Sequence, residues 1–85
     1  MKVYVLHEFV FDDGSEEFGV WVFNSCNDAI SFMNTRARIL KGYYNIDEHN
    51  EDYTFDVSNT SYECWREGCW SDFHMKLLVL EKEVR

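Results

Sequence analysis

The sequence predicts an α+β fold of order ββαβββ: a five-stranded, mainly antiparallel sheet with one helix packed on one face. Three observations carry this expectation. Asp13-Gly14 separates two runs rich in β-branched and aromatic residues, a strong hairpin signal. One stretch, Ser25–Gly42, repeats apolar residues at helical spacing. Three further runs of strand composition follow it.

The chain has 85 residues, and one domain spanning 1–85 is expected. Hydrophobic residues make up 46% and aromatics 18% of it, which excludes a disordered chain. The aromatics also offset the small size, because each buries a large area when packed. There is no proline, repeat or low-complexity segment to mark a linker.

The first strand is read at Lys2–Phe11 and the second at Phe18–Phe23. Asp13 and Gly14 both tolerate the positive φ of a type I′ turn. With that tip, Phe9 pairs with Phe18, His7 with Val20 and Val5 with Val22. One face then carries Val3, Val5, Phe9, Phe18, Val20 and Val22, with His7 among them. The other carries Tyr4, Leu6, Val10, Trp21 and Phe23. Both faces are apolar, so both call for cover.

Ser25 is a good N-cap, with Asp28 three residues on in a box-like pattern. Cys26, Ala29, Ile30, Met33, Ala37 and Leu40 form one stripe. Phe32, Ile39 and Tyr43 widen it, and Arg36 interrupts the widened arc. Gly42 supplies the stop, with Arg36, Arg38 and Lys41 near the negative end of the helix dipole.

Tyr43–Asp52 is polar and acidic and reads as a loop. Tyr53–Val57 is a strand, Ser58–Thr60 a turn, Ser61–Arg66 a strand and Glu67-Gly68 a turn. Cys69–Leu80 alternates as one long strand. Its faces are Cys69, Ser71, Phe73, Met75, Leu77 and Val79 against Trp70, Asp72, His74, Lys76, Leu78 and Leu80. A turn at Glu67-Gly68 sets Trp65 opposite Trp70, Glu63 opposite Asp72 and Ser61 opposite His74.

One helix covers one face of a sheet. The second apolar face of the first hairpin, assigned to Tyr4, Leu6, Trp21 and Phe23, is therefore expected to form a homodimer or meet a hydrophobic partner.

The net charge is −8. Residues 43–72 hold eight acids and one arginine, whereas residues 25–42 hold three bases and one acid. Such a surface repels nucleic acid and anionic membranes and favours a protein partner with a basic surface. The acidic candidates are Asp47, Glu48, Glu51, Asp52, Glu63 and Asp72. They would bind or inhibit a nucleic-acid-binding partner, with carboxylates standing in for phosphates. The competing reading is that the charge only keeps an aromatic-rich domain soluble.

Two constellations suggest a small metal- or thiol-dependent enzyme instead. Cys64, Cys69 and His74 lie close in sequence, but structural zinc needs a second ligand pair that is missing here. On the register above, His74 also points away from both cysteines. Cys26 sits in the first helical turn, a position where a helix dipole can activate a thiol, and His7 would lie near it beneath the helix. Its place in the apolar stripe marks Cys26 as core. No metal, cofactor or catalytic residue is therefore assigned. The segment Ile46–Asp52 lacks the EF-hand pattern, and no glycine-rich phosphate loop is present. Three cysteines give no even disulfide framework, and no apolar run approaches a membrane span. A reducing cytoplasm is the expected setting.

Overall fold

The computed structural model describes residues 1–66 and 73–84. Five strands and one helix follow in the expected order. They are β1 (Lys2–Asp12), β2 (Ser15–Phe23), α1 (Cys26–Tyr43), β3 (Tyr53–Val57), β4 (Ser61–Arg66) and β5 (Phe73–Glu83). All five strands form one antiparallel sheet in the order β2-β1-β5-β4-β3.

The first hairpin has the expected register, with Phe9 opposite Phe18, His7 opposite Val20 and Val5 opposite Val22. Asp13 (φ 47°) and Gly14 (φ 91°) form its tip, both in the left-handed region that the primed turn requires. The Ser25 hydroxyl accepts the Asp28 N–H at 3.3 Å and caps α1 as expected.

The helix stop differs. Gly42 is still helical, and the chain turns at Asn45 (φ 56°). Ile46 N–H donates to the Lys41 carbonyl at 2.8 Å, and Asn45 N–H donates to the Gly42 carbonyl at 3.4 Å. This pair of bonds is a Schellman motif. Asparagine can serve there because it tolerates the left-handed conformation, and the buried Ile46 side chain anchors the exit.

The second difference is the β4–β5 register. Arg66 faces Phe73, Trp65 faces His74 and Glu63 faces Lys76. The pairing expected about Glu67-Gly68 is thus displaced by four residues. An even displacement keeps each side chain on its expected face. The expected Trp65–Trp70 and Glu63–Asp72 pairs are replaced, and Trp70 and Asp72 lie outside the described residues. Strand β5 also runs on to Glu83, beyond the expected end at Leu80.

The third difference concerns which face the helix covers. β1 lies beside β5 with Val10 opposite Met75, Glu8 opposite Leu77 and Leu6 opposite Val79. Those residues share a face with Tyr62 and Cys64 of β4, and α1 packs there through Ala29, Met33, Ala37 and Leu40. The small Ala29 and Ala37 let the helix approach closely. Phe32 reaches over β2 and meets Trp21 at 5.2 Å and Phe23 at 5.5 Å between ring centroids. Tyr4, Leu6, Trp21 and Phe23 therefore lie under the helix and not on a self-association surface. Leu6 is 0% exposed.

Gly19 makes room for Trp21. A Cβ added at Gly19 would stand 2.6 Å from Cη2 and 2.9 Å from Cζ3 of that indole. Arg36 holds the ring from above, with its Cζ 5.4 Å from the ring centroid. Gly19→Ala is expected to push the indole out and cost about 1–3 kcal/mol, as overpacking does. A large shift of the Trp21 indole N–H resonance, together with a lower melting temperature, checks this.

Candidate functional site

The helix leaves the other sheet face open. Strand register arranges that face in rows. Val22, Val5 and Leu80 form one row, and Val20, His7, Leu78 and Ser61 the next. Phe18, Phe9, Lys76, Glu63 and Asp56 follow, then Glu16, Phe11, His74, Trp65 and Thr54. The face is apolar towards β2 and charged towards β3. On the β2 side Phe18 is 72%, Val20 59% and Val22 63% exposed. The Phe9 and Phe18 rings meet at a tilt of 48°, 5.2 Å between centroids, which joins β1 and β2 across the patch.

The charged side is a compact group. His74 Nε2 lies 2.5 Å from Glu63 Oε2. The His74 ring meets Phe9 edge-on at 5.8 Å and Trp65 at 6.2 Å. Glu63 stands between Lys76 of β5 and Asp56 of β3. Among the described residues, the like-charged neighbour of Glu63 is Asp56. Asp56 is not among the sequence candidates, because only the β3–β4 pairing brings it opposite Glu63.

The acidic candidates do not form one surface. Asp47, Glu48, Glu51 and Asp52 sit in the loop after α1, while Glu63 projects from the open face of β4. Asp47 Oδ1 accepts the His49 N–H at 2.9 Å, and Asn50 Oδ1 accepts the Asp52 N–H at 2.9 Å, so side chains shape the loop. Glu48 is ion-paired with Lys41 and accepts the Tyr62 hydroxyl at 3.4 Å. The Lys41 bond holds the Glu48 carboxyl below its usual range. Burial pulls Lys41 down, but its bonds to Glu48 and Tyr62 outweigh that and raise it. Glu48 is thus exposed but ion-paired, and Glu51 and Asp52 are exposed as well.

The thiol constellations come apart. Cys26 belongs to α1 on the covered side, whereas His7 projects from the open face, so the sheet separates them. The expectation that His7 lies beneath the helix is corrected by the same face assignment. Cys64 is fully buried on the covered side and His74 lies on the open side. Cys69 lies outside the described residues. Among the described residues, no three His, Cys, Asp or Glu side chains converge on one point. Burial pushes the Cys64 thiol up to about 11. The folded chain therefore keeps a proton that the unfolded chain releases above about pH 9, and stability is expected to fall between about pH 9 and 11. Denaturant midpoints across that range check the sign, and slow alkylation of native Cys64 at neutral pH checks the burial.

The ion pair of Glu8 with Arg36 is among the contacts that the sequence reading missed. Glu8 lies on the covered face of β1 and is 9% exposed. Arg36 bonds it twice, Nε to Oε1 at 2.7 Å and Nη2 to Oε2 at 2.9 Å. Two anomalies in the sequence pointed to it: a carboxylate between Leu6 and Val10, and an arginine inside the apolar arc of the helix.

No protein-family model, curated protein or solved structure matches this chain. Among the described residues, no helix is long and apolar enough to cross a membrane.

Proposed function

We propose that the chain is a small, acidic, non-enzymatic interaction domain that binds a protein with a basic surface and blocks it. The observation that carries this reading is the uncovered apolar half-face of Phe18, Val20 and Val22, with the Glu63 and Asp56 carboxylates at the far side of the same open face. A monomer rarely leaves such a continuous patch wet without a use for it. An apolar core with an acidic rim suits a partner whose binding groove is lined by Lys and Arg. The exposed acids of the 47–52 loop lie on the helix side, where they contribute long-range attraction to the same partner. The net charge of −8 speeds the encounter and disfavours nucleic acid itself as the ligand.

Affinity capture from the native host tests the reading with two variants. Phe18→Ser/Val20→Thr/Val22→Thr is expected to lose the captured protein. Asp47→Lys/Glu51→Lys/Asp52→Lys is expected to slow association and weaken its salt dependence. Recovery of the same proteins at the same level by both variants would sink the proposal. A second copy is the competing occupant, and a dimer in sedimentation that the open-face variant dissolves would favour it.

A further inference from the structure

Strand β2 lies at the outer edge of the sheet. Which of its backbone groups are free follows from two bonds elsewhere. Val84 N–H donates to the Met1 carbonyl at 2.8 Å, and Val79 N–H donates to the Thr60 carbonyl at 2.8 Å. Even residues of β5 thus face β1, and odd ones face β4. Because antiparallel ladders alternate, odd residues of β1 bond to β5 and even ones to β2. On the β1–β2 register, Ser15, Glu17, Gly19, Trp21 and Phe23 answer them. Glu16, Phe18, Val20 and Val22 turn their N–H and C=O groups away from the sheet.

We propose that this edge takes up an extended segment of the basic partner as a sixth strand. The proposal rests on the reading above and specifies its mode of binding. Natural edges are blunted by proline, lysine, bulges or shortness. β2 spans nine residues, pairs with β1 without a bulge, and contains no proline, lysine or arginine. The other edge, β3, has five residues, among them Asp56. The four residues with outward backbone groups also line the open face. An added strand therefore gains a ladder and extends the Phe18–Val20–Val22 row at once, which calls for apolar side chains at alternate positions.

Charge selects the occupant. Asp12, Asp13, Glu16 and Glu17 crowd the tip end of β2, and Phe18–Phe23 is uncharged. A segment with Lys or Arg beside Glu16 meets those carboxylates favourably. A second copy that pairs through its own β2 brings no cation on that strand to match them, and adds a further net charge of −8. The occupant is thus a β-forming segment of a basic protein, apolar at alternate positions, with a cation at the end that lies beside Glu16.

The test uses two synthetic peptides of alternating valine and threonine, one ending in two lysines and its twin in two glutamates. Amide shifts of the labelled chain report binding. The lysine peptide is expected to perturb Glu16–Val22 and to bind about tenfold tighter than its twin at low salt. Val20→Pro removes an outward N–H without touching the β1 ladder, so the sheet is expected to persist and binding to vanish. Val20→Thr keeps the amide and is expected to keep binding. Glu16→Lys/Glu17→Lys is expected to invert the peptide preference. If Val20→Pro fails to fold, peptides N-methylated along one edge replace it and are expected not to bind. Equal binding of both peptides, or binding that survives Val20→Pro or N-methylation, would overturn the proposal. So would sedimentation of a wild-type dimer that Val20→Pro dissociates. If neither peptide binds but host capture still needs the open face, strand addition is wrong and the interaction reading stands.

Discussion

Arg36→Met is expected to destabilise the fold by about 3 kcal/mol, and Glu8→Met/Arg36→Met to restore most of that loss. The single change strands the Glu8 carboxylate on the covered face, between Leu6 and Val10 and across from Leu77. A buried charge without its partner retains its desolvation cost and loses its compensation. The double change replaces both polar ends with flexible apolar side chains that fill similar space. Part of the single-variant loss also comes from Trp21, whose ring loses the guanidinium above it. Chemical denaturation of wild type, both single variants and the double variant forms a double-mutant cycle that measures the coupling. A double variant no more stable than Arg36→Met would show that the pair contributes through the guanidinium's packing rather than its charge.

Leu6→Ala is expected to cost about 3 kcal/mol, while Val20→Ala and Val22→Ala each change stability by less than about 1 kcal/mol. All three residues belong to the same hairpin and are similarly apolar. Only Leu6 lies in the interior, fully enclosed beneath the helix. Its truncation leaves a cavity bounded by strands and helix that cannot collapse freely. Val20 and Val22 already face water, so little burial is lost. Melting curves of the three variants read out which face of the hairpin the helix occupies. Equal losses for Leu6 and Val20 would contradict the placement of α1.

The first hairpin, the N-cap and the strand order along the chain were legible because each rests on local chemistry. Asp13-Gly14 specifies its turn within a few residues, and Ser25 specifies the helix start. The covered face was not legible from the hairpin, because its two faces are nearly equal in hydrophobicity. β5 breaks the tie: Phe73, Met75, Leu77 and Val79 alternate with His74, Lys76, Leu78 and Leu80. That information was in view, but it transfers to β1 only once the two strands pair, and that pairing spans nearly the whole chain. The helix stop was misplaced because glycine is the commoner stop residue, while Asn45 carried the left-handed turn. The β4–β5 register was misplaced because Glu67-Gly68 looked like a tight turn. The separation of Cys64 from His74 survived that error because face assignment depends only on parity.

The pairing of β1 with β5 has a kinetic side. β1 and β2 are neighbours in sequence and can zip together as soon as both exist. The partner that completes the centre of the sheet is the last of these five strands in chain order. Until it arrives, the hairpin has neither its inner neighbour nor a settled helix, and both of its greasy sides are wet. Such long-range closure slows folding relative to a helical bundle of the same size. A nascent chain released early, or stalled before β5, therefore presents sticky hairpins to one another. The acidic tip at Asp12, Asp13, Glu16 and Glu17 is well placed to keep those intermediates apart while the last strand is still on its way.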